Sequence, residues 1–120
     1  MWQWSNSTGT LTHDGAAVAT GYAGHGAGKN NPQDEAIPDT GPPPEGLYTI
    51  GPPRTDPHLG PVAMPLSPAQ ATDMHGRSGF WLHADNPAHP GQSSEGCIVL
   101  SNAARQAIAS SGDTALTVRA

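Results

Sequence analysis

A single cysteine stands in 120 residues, which excludes an internal disulfide and any zinc or iron-sulfur site built from several thiolates. Cations are scarce as well. Five Lys and Arg, spread singly against ten Asp and Glu, give a net charge of -5 and no basic stripe, so a nucleic-acid partner is not expected. Long apolar runs are missing too: nothing approaches the roughly 18 consecutive apolar residues of a membrane-spanning helix. Met1-Trp2-Gln3-Trp4 has neither the charged nor the apolar region of a secretory signal, so the expectation is that, if the protein leaves its cell, another machine carries it.

What the chain does have is turn-forming residues. Its 15 Gly and 13 Pro leave little room for long helices, and a length of 120 residues suits one small domain over 1–120 with one modest core. A mainly β fold with one short helix near the C-terminus is expected. From Thr8 to Tyr22 the sequence reads as two strands about Asp14-Gly15, with Trp2, Trp4, Leu11, Val18 and Tyr22 as packing residues. Gly24-His25-Gly26-Ala27-Gly28-Lys29 lacks the spacing of a phosphate-binding loop and reads as a structured loop.

Between Pro32 and Pro68 lie 11 of the 13 prolines, which forbids a long helix there and restricts strands to short or edge positions. Gly46-Leu47-Tyr48-Thr49-Ile50 is a strand bounded by proline clusters, whereas Asp56 to Ala71 reads as a loop or flap. Gly79 to His83 and Cys97 to Leu100 are short buried strands. Ser101 caps a helix over 102–111 with Ala104, Ala107, Ile108 and Ser111 on one face, Gly112 ends it, and Ala115 to Val118 closes the fold.

Amide cleavage at neutral pH needs a nucleophile, a base and donors for the oxyanion, and the segment from His83 to Cys97 has residues for all three. A thiol is only a few per cent ionised at pH 7, so Cys97 as nucleophile calls for a nearby imidazole, which His83 on an adjacent strand can supply. Gly96 allows a sharp turn that aims the amides of Gly96 and Cys97 at the oxyanion, and Ser94 offers a polar contact near the imidazole. The alternatives are a satisfied strand histidine, a bulge and a turn serine.

His83 followed by Ser94-Glu95-Gly96-Cys97-Ile98 resembles the signature of the L,D-transpeptidase (YkuD-like) catalytic domain. More closely, Gly24-His25-Gly26 with Lys29-Asn30-Asn31-Pro32, Gly41-Pro42, Pro44-x-Gly46-x-Tyr48-Thr49-Ile50 and Gly76-Arg77-Ser78-Gly79-Phe80 resemble the L,D-transpeptidase-like effectors of type VI secretion systems. The resemblance implies a β-sandwich or barrel, a cysteine acyl-enzyme and no cofactor. It also implies action on the diaminopimelate–D-alanine bond of peptidoglycan tetrapeptide stems, delivery to the periplasm of target bacteria by type VI components, and a cognate immunity protein. Cys97 is then the nucleophile, His83 the base, and Ser94 and Gly96 the supporting residues.

Three positions depart from the broader family: Glu95 replaces His or Arg, Ala84 replaces Gly, and Val99 replaces Arg. A carboxylate beside the thiol disfavours an anionic substrate group, so stem cleavage or exchange is expected over wall cross-linking. Arg77 is the candidate grip for the stem carboxylate, with Glu95, Trp81 and His75 lining the substrate site. Two other readings stand beside this one. A zinc peptidase would use His83, Asp85 and His89, with His75 or Cys97 completing the set. A non-enzymatic wall-binding module would present Trp2, Trp4, Tyr48 and Trp81 on its surface.

Overall fold

Trp2-Gln3-Trp4-Ser5 alternates aromatic and polar residues, and in a computed structural model that describes all residues from Met1 to Ala120 this segment is the first strand, β1 (Trp2–Ser5). Both indoles face the core; Trp4 is fully buried and donates its indole N–H to Asn6 Oδ1 at 3.0 Å. β1 pairs antiparallel with β2 (Thr10–His13), which turns back into β3 (Ala16–Thr20) through Asp14 and Gly15, both at positive φ. The expected hairpin is present. Val18, expected to pack inward, is instead 44% exposed, because the β2–β3 register jumps from Leu11↔Ala19 to Thr12↔Ala17 and leaves Val18 as the unpaired residue of a bulge.

One residue, Gly21, separates β3 from β4 (Tyr22–Ala23). The first half of this segment pairs with β2 and the second half with β9 (Ile98–Val99), so nine of the ten strands form a nearly closed, barrel-like sheet in the order β3, β2, β1, β10 (Ala115–Arg119), β5 (Gly46–Ile50), β7 (Gly60–Pro68), β8 (Trp81–His83), β9 and β4, with β6 (Arg54–Asp56) pairing with β7 off this path. At the crossover Gly21 donates to Gly9 O at 2.8 Å, and a Cβ on Gly21 would collide with the carbonyl oxygen of Val99. No side chain fits at that seam. The fold is a single small, mainly β domain, as its composition indicates.

β5 (Gly46–Ile50) and β10 (Ala115–Arg119) lie where expected, but the stretch expected as a flap is β6 (Arg54–Asp56) and β7 (Gly60–Pro68). β7 sits inside the sheet, between β5 and β8 (Trp81–His83), despite three prolines. It tolerates them by bending at Val62, whose φ is 57°, and by using the proline carbonyls as acceptors: Pro65 O takes Gly51 N–H and Pro61 O takes the Arg105 guanidinium. A proline removes a donor but no acceptor, so sequence alone overstates its cost here.

The helix α1 (Asn102–Ser111) has the expected ends, with Ser101 Oγ accepting from Ala104 N at 3.2 Å and Gly112 in the left-handed region at φ 73°. Its buried face is Ala104, Arg105 and Ile108; Ala107 is exposed, and Ser111, also exposed overall, keeps its hydroxyl within 3.4 Å of the Trp2 indole nitrogen. Arg105 turns the helix by sinking its guanidinium under β7, where it donates to Leu100 O, Pro61 O and Val62 O. Trp2, Trp4 and Tyr48 are core residues, so the aromatic wall-binding surface of the non-enzymatic reading does not exist.

The long segment between β4 and β5 contains two turns of 3-10 helix, at Gly26–Gly28 and Pro32–Asp34, and ends in buried Pro42-Pro43-Pro44. Side chains from three parts of the chain hold it down through the proline carbonyls. Asn6 Nδ2 donates to Pro43 O at 2.9 Å, Tyr48 Oη to Pro44 O at 2.6 Å and Arg77 to Pro42 O at 2.7 Å.

Candidate active site

Strands β8 and β9 run parallel, with Leu82 opposite Ile98 and His83 opposite Val99. Leu82 and Ile98 are fully buried on the core side. Alternation therefore puts Trp81, His83, Val99 and, one step back along β9, Cys97 on the other face. Strand spacing of about 4.8 Å and a rise of about 3.3 Å per residue place the Cα atoms of His83 and Cys97 roughly 8 Å apart on the diagonal.

Cys97 is half-buried. Its Sγ receives the Trp81 backbone N–H at 3.3 Å and donates toward Gly79 O at 3.8 Å. Burial pushes its pKa above the ordinary thiol value and the Glu95 carboxylate adds to this, while the Trp81 N–H and the Arg77 charge work the other way. At neutral pH the group is a thiol. The turn before it is organised by Ser94, whose buried hydroxyl accepts from Gly24 N at 2.9 Å and Gly96 N at 3.0 Å and donates to Cys97 O at 2.5 Å.

These bonds revise two expectations. Ser94 does not touch the imidazole but ties the Cys97 turn to the Gly24 loop, and the Gly96 amide, held by Ser94, is no longer available to an oxyanion. The Cys97 N–H remains, since it bonds to no other backbone carbonyl. Gly96 itself stands at φ 140°, and a Cβ there would lie 2.6 Å from Arg77 Nη2 and 2.7 Å from Phe80 Cε1.

His83 is buried and donates from Nδ1 to Ala84 O at 2.7 Å; this assigns the proton to Nδ1 and leaves Nε2 as an acceptor without a protein partner. Burial lowers its pKa and the Arg105 charge adds to this, against the Ala84 carbonyl and the carboxylates of Asp85 and Asp56. The ring is neutral at pH 7. His83 and Cys97 form no hydrogen bond, and they open onto different hollows. Cys97 lines a cleft of about 270 Å³ with Asp39, His75, Arg77, Gly79 and Glu95; His83 lines a polar cavity of about 630 Å³ with His58, Asp85, His89 and Gln92.

Of the expected substrate-binding residues, Glu95 and His75 line the thiol cleft, His75 bonding through Nε2 to Glu35 at 3.1 Å. Trp81 offers its N–H to sulfur, and its ring carries Arg54 at 5.5 Å. Arg77 is differently engaged from the expectation. Its Nη1 donates to Glu35 O and Pro42 O and its Nη2 to Gly41 O and, more weakly, Glu95 O, with Phe80 beneath it at 4.9 Å. It clamps the 35–42 loop against the Cys97 turn rather than reaching for a carboxylate.

The metal reading fares worse. His83, Asp85 and His89 share a cavity, but their ligand atoms do not converge. Asp85 is instead the hub of the 85–93 loop, accepting from Tyr22 Oη at 2.6 Å, Ser93 Oγ at 2.8 Å, Asn86 N at 3.0 Å and Gly91 N at 3.0 Å. A group whose ligand atoms do converge, His13, Asp14 and Asp113, already holds the Met1 ammonium, at 2.6 Å from Asp14 and 2.7 Å from Asp113.

Sequence reasoning missed three contributors: Arg105 behind His83, the Tyr22–Asp85 hub, and Lys29, which spans the Tyr22 ring at 4.4 Å and bonds Gly91 O at 2.9 Å. A lone arginine between buried helix positions was the available signal for the first. The other two depend on contacts more than 60 residues apart.

No curated protein matches the chain. A family model describing the Tlde1 domain matches residues 17–118, which covers every strand of the cleft, the Cys97 turn and α1. The chain therefore belongs to the Tlde1 domain family, a family of type VI secretion effectors of the L,D-transpeptidase-like kind that act on peptidoglycan.

Proposed function

We propose that the protein is a cysteine-dependent enzyme that breaks the diaminopimelate–D-alanine bond of peptidoglycan tetrapeptide stems and hands the acyl group to water or to an amine. One observation carries this reading: a lone thiol and a neutral imidazole with a free Nε2 share one face of the parallel β8–β9 ladder. Such a pair is what acyl transfer through a thioester requires.

In the first half of the reaction Cys97 turns from Gly79 O toward Nε2 and its Sγ attacks the carbonyl carbon while the thiol proton passes to His83. The C–N bond then breaks, the same proton moves to the departing D-alanine amine, and a thioester and a neutral imidazole remain. In the second half water or an amine attacks the thioester and gives a proton to Nε2; the C–S bond breaks and the thiolate takes the proton back. The Cys97 N–H, joined by the Trp81 N–H that faces the sulfur, stabilises the oxyanion. Water as acceptor gives L,D-carboxypeptidase activity, and a free D-amino acid gives exchange. Glu95 and Val99, in place of cationic residues, favour these outcomes over cross-linking.

Purified protein mixed with tetrapeptide muropeptides is expected to release D-alanine, and Cys97→Ala to lower release by at least about 10³-fold with an unchanged far-ultraviolet circular dichroism spectrum. A Cys97→Ala protein as active as its parent overturns the reading. Membership of this effector family supports a further part of the proposal, delivery by type VI secretion into a competitor's periplasm with an immunity protein protecting the producer. Expression directed to the periplasm is then toxic and cytoplasmic expression is not; equal toxicity in both compartments contradicts it.

A further inference from the structure

The cleft at the thiol is short of available cationic donors and has two carboxylates without partners. Asp39 and Glu95 both line it, and neither side chain makes a hydrogen bond or an ion pair. Every other charged group in the cleft is engaged. Arg77 directs both of its terminal nitrogens at backbone carbonyls, and His75 is held by Glu35. A substrate carboxylate entering here meets two like charges against the single positive charge of Arg77, whose donors are already taken. A substrate ammonium meets two solvent-exposed acceptors, each an unpaired partner of opposite charge.

We propose that the thiol cleft binds an ammonium group of the substrate between Asp39 and Glu95, next to the sulfur. This rests on the acyl-transfer reading and deepens it, because stem chemistry provides two such groups. One is the side-chain amine of the diamino acid that donates its acyl group; the other is the amine of an incoming acceptor, which must lose its proton before attack. The neighbouring charge of Glu95 on the thiol, already felt in its raised pKa, agrees with a carboxylate close to the sulfur.

The test has two parts. In the first, Cys97 is modified with a cationic and an anionic methanethiosulfonate of similar size. The parent is expected to favour the cationic reagent by about 10-fold or more, and Asp39→Asn/Glu95→Gln to bring the ratio close to one. In the second, D-alanine release is measured on stems with a free and with an acetylated side-chain amine. Acetylation is expected to cut kcat/KM of the parent by about 10-fold, chiefly through KM, and the double variant to treat both stems alike. Unchanged hydrolysis with exchange onto D-amino acids lost in the double variant assigns the ammonium to the acceptor instead of the donor. If reagent ratio, hydrolysis and exchange are all the same in parent and variant, the proposal is wrong. Should the parent turn over no stem at all, the acyl-transfer reading falls, while the reagent ratio still decides whether the cleft prefers cations.

Discussion

The two hollows that flank the β8–β9 ladder are built by opposite means. Around Cys97 the turn that carries the thiol is held from behind by two side chains, Ser94 and Arg77, whose partners are backbone carbonyls and amides. Around His83 the walls are polar side chains of a loop gathered about the Asp85 carboxylate. The first arrangement fixes where an atom sits to within a hydrogen bond, which a nucleophile needs. The second leaves more space and exposed histidines, which suits a route for the second reactant. Each hollow holds one half of the chemistry, so they must work together or the reading fails.

The most severe way to break this pairing is His83→Ala, expected to lower kcat/KM for D-alanine release by about 10³-fold with an unchanged far-ultraviolet circular dichroism spectrum. Activity within a factor of three of the parent would mean that the two hollows are independent. Next comes Gly96→Ala, which forces a side chain into the left-handed region against Arg77 and Phe80 and is expected to cost about 3 kcal/mol in urea unfolding. The corresponding disturbance on the other side is Tyr22→Phe. It takes one hydroxyl from Asp85 and Ser93, with an expected cost of about 1 kcal/mol and a larger effect on deacylation than on Cys97 alkylation. Equal effects on both rates would deny that the hollows are separate.

The smallest effect is in the response to pH. Because burial lowers the His83 pKa, the base stays competent below the ordinary histidine value of 6.5, and kcat/KM is expected to rise with pH around a midpoint below 6.5. The unfolded chain, by contrast, protonates His83 first as pH drops through 6.5, so this residue makes stability fall on acidification until the folded form also takes up the proton. Cys97 acts at the other end. Its raised pKa means that the unfolded chain loses the thiol proton first, and stability falls as pH climbs through 9.0. A His83→Gln protein is expected to lose only the acid-side dependence, which denaturant titrations at pH 5 and pH 7 can measure.

Much of this was legible in order along the chain. The helix could be placed to the residue because its ends are chemical signals, a serine cap and a left-handed glycine, which act locally. Strands β5, β8 and β9 were legible because apolar residues sit between turn formers. β7 was not, since proline rules describe donors and this strand works through acceptors. In the site, Cys97 and His83 were readable from residue type and spacing, and their neighbours were not. Arg77 has the charge to hold a carboxylate, yet its partners are carbonyls 35 to 42 positions away, and only the folded 35–42 loop brings them there.

The seam at Gly21 and the central place of β10 bear on when the molecule acquires its activity. β10 is made after both strands that it joins, and it lies between β1 and β5, paired to both, so until residues 115–119 leave the ribosome the sheet has an open slot between those two strands. A nascent chain therefore carries its thiol and imidazole on strands that no closed barrel yet supports. Residues 115–119 therefore close the sheet that carries the reactive face only after every residue of the site has been made.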